Sequence, residues 1–345
     1  MKGRLEREMQ VENRILTITL QDKSLKGFNT YLKIEKNSVS PTTRYVAITI
    51  IRDYLKFIGE WETFVWKNIC NKDNVSSFIE SKQKVKTKDN KMEKDASSSY
   101  IRTIYSTLAD FFDYAEDREY ISSNPMKRKP GDSNDPFKKP KLTDSPDRPY
   151  LKAEDFRKIL DVAKKGCGSS RAHKMQSKMR ERDLLILSMF MTCGMRESAL
   201  VDINVEDINF NTGEIIFIDK GKKTHNRDVS NLMPLIEEWI KKREEILDGE
   251  KCDALFINGN KHRLTNVSSA NIVKKYSKAA LGYEISPHDL RAGVITILVD
   301  SGKSIAWVSK FIDHSNVATT SRYFKTNKKE KKEGADMMSK SIGII

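Results

Sequence analysis

The stretch 183–229, DLLILSMFMTCGMRESALVDINVEDINFNTGEIIFIDKGKKTHNRDV, decides the fold. Its opening, DLLILSMFMT, is apolar on every side of a helical turn, which is the pattern of a helix buried on all faces. Gly194 then ends or turns that helix, because glycine enters the left-handed region without steric cost. Arg196, two residues on, is thereby held near the core and not loose in solvent. From Val205 the pattern changes to short β-favouring pieces around turn signals: Asn211-Thr212-Gly213, then EIIFID, then the lysine turn at 220–223. A small hairpin or three-stranded antiparallel sheet set among helices is expected.

Helical patterns lie on both sides of this stretch. Downstream, 233–247, 268–281, 287–300 and 304–312 read as helices, and upstream 151–163 does too. Between 151–163 and the apolar helix, 164–182 is a basic interruption that resembles an insertion. Farther upstream, 42–58 and 97–115 place apolar residues three and four apart, so a small helical bundle is expected there. The lysine-dense stretch 82–94, KQKVKTKDNKMEK, has no periodicity and reads as a solvated loop. The domain boundary is marked by proline: six of the nine, Pro125, Pro130, Pro136, Pro140, Pro146 and Pro149, fall within 125–149. Such a segment holds neither a helix nor a central strand. Lys127, Arg128, Lys129, Lys138, Lys139 and Lys141 make it basic, so it suits either a soluble linker or a strap along a phosphate backbone.

The chain has 345 residues, enough for about two domains. Lys and Arg total 62 against 48 Asp and Glu, a net charge of +14 that favours a polyanionic partner, with nucleic acid first. No apolar run reaches the roughly 18 residues of a membrane span, and the start, MKGRLEREMQ, carries charge where a signal peptide is apolar. A cytoplasmic, nucleoid-associated protein is expected. Cys70, Cys167, Cys193 and Cys252 are far apart and lack CxxC spacing, so neither a disulfide framework nor a zinc site is indicated. His173, His225 and His262 lie in polar or basic stretches and read as exposed.

Three clusters carry candidate chemistry. In SPHDLR, Ser286 is an expected N-cap, Pro287 the first helical residue, and His288 and Arg291 share a face near a helix N-terminus, where an anionic oxygen is favoured. Arg196 has the planar donor fork that grips phosphate. Lys220 lies in the turn after EIIFID, and FIDHSNVATTSRYF contributes His314 and Tyr323, with a short helix expected over 315–324. Each alone is commonplace on ordinary helices and turns. Their order and spacing, with GMRESAL, a β-turn lysine, HDLR and HSNVATTSRYF around them, resemble the tyrosine recombinases, the phage integrase family. The resemblance covers about residues 149–325 by motif and the whole chain more loosely by layout.

The resemblance implies a mainly α fold with a small antiparallel β-sheet. It gives a helical, SAM-like core-binding domain over 1–125, a basic linker over 126–148, a catalytic domain over 149–328 and a tail over 329–345 that packs on a neighbouring protomer. The two domains would form a C-shaped clamp on DNA. It implies further that Tyr323 attacks a phosphodiester to form a 3′-phosphotyrosyl bond, which stores the bond energy without ATP. Arg196 and Arg291 would grip the non-bridging oxygens, with His314 adding a hydrogen bond. Lys220 would protonate the leaving 5′-oxygen, and His288 would act as base or positioning partner. No metal or cofactor is implied, and the partners are specific sites on double-stranded DNA, with four protomers on two duplexes passing through a Holliday junction.

Three departures bear on this reading. Ala199 stands where the family usually has an acidic residue, with Glu197 nearby. Asp313 stands where glycine commonly precedes the second histidine, and its carboxylate would oppose phosphate unless it points away or pairs with a base. The turn KGKKTHNR is longer than usual, so Lys222 and Lys223 are alternatives to Lys220. A type IB topoisomerase and a non-cleaving DNA-binding protein of recombinase ancestry are the competing functions.

Overall fold

The computed structural model describes residues 2–19, 23–36, 39–86, 93–127, 137, 150–166, 178–219 and 223–313. The chain divides into two compact units, one of Leu5–Asp147 and one of Arg148–Ile345 together with Met1–Arg4.

The first unit is a helical bundle: α1 (Lys2–Thr19), α2 (Lys23–Ile34), α3 (Pro41–Phe57), the short α4 (Trp66–Ile69), α5 (Lys72–Ser81) and α6 (Ser98–Asp117). Helix α3 starts where Ser40 accepts from the Thr43 N–H at 3.3 Å and Pro41 occupies the first turn. It buries Ala47, Ile48, Ile51, Tyr54 and Leu55, one helical stripe, against α6, which contributes Ile101, Ile104, Leu108, Phe111 and Phe112. Aromatic rings fill the centre. Phe28 meets Phe111 edge-on at 5.2 Å, and Trp66 stacks between Phe111 at 5.6 Å and Tyr120 at 5.2 Å. Each buried ring adds about 1.5–3 kcal/mol of transfer free energy. Arg44, a charge 2% exposed in this core, is met by Glu12, by Asn29 Oδ1 at 2.8 Å and by the Val39 carbonyl at 3.1 Å. Those bonds offset its desolvation.

Two expectations for this unit are corrected. The 82–94 stretch contributes most of a two-stranded antiparallel pair, β1 (Lys84–Lys86) with β2 (Glu93–Asp95). The proline-rich segment is also more than a strap, since Met126 and Phe137 are buried in the helical core.

The second unit is built around α8 (Arg180–Cys193), in which Leu185, Ile186, Leu187, Met189 and Phe190 are fully buried, as the all-round apolar pattern requires. Packed on it are α7 (Ala153–Lys165), α10 (Met233–Leu247), α11 (Asn266–Leu281) and α12 (Pro287–Asp300), with the short α9 (Glu197–Val201) and α13 (Ile305–Phe311) completing the set. Helices α7 and α8 claim both ends of the basic interruption, leaving 167–177 outside the described residues.

The sheet has three antiparallel strands in the order β3 (Ile208–Asn209), β4 (Glu214–Asp219), β5 (Lys223–Asp228). Along β4, Ile215 and Phe217 are buried while Ile216 is exposed, the expected period of two. Gly213 is obligatory at the turn before β4: its φ is +70°, and a Cβ there would lie 2.8 Å from the Ser230 Cα. The fold is therefore mainly α with one small antiparallel sheet in this unit. Among the described residues no helix is long and apolar enough to cross a membrane.

Candidate active site

Helix α8 ends at Gly194, whose φ of +59° is the left-handed cap, with its N–H bonded to the Phe190 carbonyl at 3.2 Å. A Cβ at this glycine would sit 3.3 Å from Ile312 Cγ2 and 3.4 Å from Val294 Cγ1, so three segments converge there. Arg196 follows at the N-cap position of α9, in extended backbone and half-buried, directly after the buried Met195. A helix end, one glycine and a second helix start thus place this arginine at a fixed corner.

Helix α12 begins as the sequence predicts. Ser286 accepts from the Asp289 N–H at 3.3 Å, Asp289 accepts from the Ser286 N–H at 2.9 Å, and Pro287 occupies the first turn. His288 lies exposed on that turn. One turn further, Arg291 is only 3% exposed. Its guanidinium donates through Nη1 to the Gly194 carbonyl and through Nη2 to the Ile312 carbonyl, the latter at 2.5 Å. Main-chain oxygens from the end of α8 and from the residue after α13 therefore orient Arg291. Because Gly194 is two residues from Arg196, the same contact brings the neighbourhoods of the two arginines together. His288 and Arg291 differ sharply in burial, so the shared face expected for them spans from solvent to core.

Two of the three departures from the family pattern, Ala199 and Asp313, are accounted for locally. Ala199 is 2% exposed and packs in the hydrophobic core, while Glu197 accepts from Ser269 Oγ at 2.6 Å and so ties α9 to α11. Asp313 has φ of +55°, the left-handed region in which glycine is free and aspartate is tolerated. Its carboxylate pairs with bases, receiving His225 Nδ1 at 2.9 Å and Arg227 Nη2. This corrects the expectation for His225: its side chain is only 18% exposed and its ring stacks on Phe217 at 5.6 Å. His262 is exposed, as expected.

His225 and Arg227 were not among the predicted site residues, yet a signal for them exists. In the hairpin register Phe217 faces His225 and Ile215 faces Arg227, so the inward pair of β4 dictates the inward pair of β5. Burial pushes the thiol of Cys193, just before the glycine turn, above its ordinary pKa. Lys220, Lys222, His314, Tyr323, Cys167, His173 and the helix expected over 315–324 lie outside the described residues, as does the side chain of Lys223. Among the described residues no group of three or more His, Cys, Asp or Glu side chains is placed to hold a metal ion.

Comparison with known proteins bears on the same region. The phage integrase family model matches residues 149–330. A tyrosine recombinase of Pseudothermotoga lettingae is 26% identical over 314 residues, covering 90% of this chain and 96% of that protein. The tyrosine recombinase XerC of Psychromonas ingrahamii is 29% identical over 226 residues, 65% of this chain and 68% of its own. In fold, the chain resembles the XerH site-specific recombinase in its post-cleavage complex with a palindromic difH substrate, with a TM-score of 0.60 at 18% identity over 96% of this chain and 89% of that one. It also resembles the Tn1549 transposon integrase in complex with transposon right end DNA, with a TM-score of 0.57 at 15% identity over 92% and 99% of the two chains. Since the family model spans more than half of the chain and includes both arginines, the glycine turn and the hairpin between them, the chain belongs to the phage integrase family of tyrosine recombinases.

Proposed function

We propose that this protein is a site-specific DNA recombinase or integrase that cuts and rejoins DNA through a 3′-phosphotyrosyl intermediate. The observation that carries the reading is the Gly194 corner, where the carbonyl that follows α8 orients Arg291 and the next turn of chain presents Arg196. Two guanidinium groups on rigid backbone are what a pentavalent phosphorane needs, because preorganised donors stabilise developing charge without reorganising.

In the proposed reaction the Tyr323 oxygen attacks phosphorus, the bond to the 5′-oxygen breaks, and Lys220 gives that oxygen its proton. His288 takes the tyrosine proton or positions the phosphate, His314 donates to a non-bridging oxygen, and Arg196 and Arg291 hold the others. Reversal with a 5′-hydroxyl from another strand exchanges the DNA. The net charge of +14 supports a duplex partner through counterion release, so affinity for random duplex should fall steeply with salt. Four protomers on two duplexes, working in the nucleoid-associated cytoplasm, complete the reading. The test is incubation with supercoiled plasmid and nicked suicide duplexes, with EDTA and without ATP, followed by denaturing gels. A covalent adduct lost in Tyr323→Phe supports the reading. Tight binding without an adduct on duplexes carrying the protein's own site would favour the non-cleaving alternative.

A further inference from the structure

The turn leaving α13 is gripped at three successive residues. Arg227 Nη1 donates to the Phe311 carbonyl, Arg291 Nη2 donates to the Ile312 carbonyl at 2.5 Å, and the Asp313 carboxylate receives both Arg227 Nη2 and His225 Nδ1, the latter at 2.9 Å. The Arg227 guanidinium also lies over the Phe311 ring at 4.9 Å. All three members of this second cluster are largely withdrawn from water, with side-chain exposures of 18% for His225, 11% for Arg227 and 20% for Asp313. Charge-assisted bonds with this little exposure are screened far less than a surface ion pair.

Chain connectivity gives the cluster its meaning. His225 and Arg227 alternate on the inward face of β5, the strand that follows the turn containing Lys220. Asp313 immediately precedes His314, and Ile312 is the residue that orients Arg291. We propose that His225, Arg227 and Asp313 form a positioning clasp that fixes the β4–β5 hairpin to the turn before His314. The clasp thereby sets the strand that follows the hairpin lysine in sequence, and the turn that precedes His314, relative to Arg291. This inference rests on the recombinase reading for the roles of Lys220 and His314, and on the geometry alone for the clasp. Asp313 serves because its φ of +55° aims a short carboxylate back at the strand, a direction a glycine at the same φ would leave empty. None of the three is a catalytic residue: they act through the groups they hold.

The test uses the full chain and two independent readouts. Amide hydrogen exchange is measured over 311–315 and over the core of α8 in the wild type, Asp313→Gly, Asp313→Asn, Arg227→Lys and Arg227→Ala. DNA affinity and the rate of adduct formation on a nicked suicide duplex are measured on the same proteins. Glycine fits the positive φ, so Asp313→Gly removes the carboxylate without backbone strain and keeps the fold even if Arg227→Ala does not. The expected result is about tenfold faster exchange over 311–315 in Asp313→Gly, the factor that follows from losing charge-assisted hydrogen bonds, with the α8 core unchanged. Asp313→Asn, which keeps one acceptor oxygen, and Arg227→Lys, which keeps the charge, should each recover part of it. Adduct formation should fall in parallel while DNA affinity holds. Unchanged exchange in Asp313→Gly overturns the clasp, as does an Arg227→Ala protein that loses DNA affinity with its exchange intact. If the wild type forms no adduct on a duplex carrying its own site, the recombinase reading fails, and the exchange comparison still decides the clasp.

Discussion

Replacing Asp183 should destabilise the second unit far more than replacing its partly exposed partner Lys275. Asp183 is 2% exposed near the start of α8. Its Oδ1 accepts from Arg182 Nε at 3.1 Å and Nη2 at 2.7 Å, and its Oδ2 accepts from Lys275 Nζ at 3.0 Å and the Tyr276 hydroxyl at 3.1 Å. Asp183→Ala removes the only carboxylate in this set of contacts. Lys275, 31% exposed, can turn to water, but Arg182, at 10%, is held inside by its bond to the Ile257 carbonyl at 2.8 Å. An uncompensated buried charge costs about 3–5 kcal/mol. Lys275→Met leaves Asp183 paired with Arg182, and the bond lost is a partly solvated one worth at most about 1 kcal/mol. For a unit of this size each kcal/mol moves the melting temperature by about 2–4 °C, so Asp183→Ala should lower it by roughly 6–20 °C. Thermal and urea melts of the full chain, followed by circular dichroism, measure both variants, and Asp183→Asn separates charge from shape. A loss below about 1 kcal/mol for Asp183→Ala, or equal losses for Asp183→Ala and Lys275→Met, would refute the claim that buried charge dominates here.

Three further outcomes are expected. Gly194→Ala should cost about 1–2 kcal/mol in urea melts from left-handed strain, and more from a Cβ 3.3 Å from Ile312; a neutral effect would show that the corner relaxes. Cys193, buried and with its thiol pKa raised by desolvation, should resist thiol reagents in the native chain well above pH 8, and rapid native labelling at that position would contradict the packing. Hydrogen bonds from Thr63, Asn68 and the Val65 N–H hold the Glu60 carboxyl below its ordinary pKa. Its stabilisation is therefore present above the unfolded carboxyl pKa of about 4.3 and is lost as pH falls through the lower folded value. The gap in melting temperature between wild type and Glu60→Gln should close on acidification, and a gap independent of pH would refute this.

What was legible in the sequence is what local chemistry encodes. Ser286-Pro287 marks the start of α12, Gly194 marks the end of α8, and the all-round apolar run marks the central helix, each through backbone rules that act over a few residues. The β1–β2 pair was not legible, because Lys84–Lys86 and Glu93–Asp95 are mostly charged and carry no hydrophobic periodicity in the sequence. His225 was misread as exposed for a different reason. Its face depends on hairpin register, and register becomes visible only once Phe217 is known to point inward and to pair with it. Asp313 looked like a charge opposed to phosphate because its partners are 86 and 88 residues away in the chain.

The two arginines of the candidate site show why a motif can be read when the structure supporting it cannot. Arg291 donates to the carbonyls of Gly194 and Ile312, so its direction depends on the path of the main chain. A main-chain acceptor leaves no residue-type signal, and glycine at 194 registers only as a turn. The neighbouring grip on Phe311 and Asp313 is half of the same kind: Arg227 takes one carbonyl, which is silent in sequence, and one carboxylate, which is not. A substitution at 313 is therefore the place where this support can change without disturbing the arginines. The backbone at 313 has a positive φ, a conformation that glycine takes freely, and the aspartate that stands there also reaches across to hold the strand.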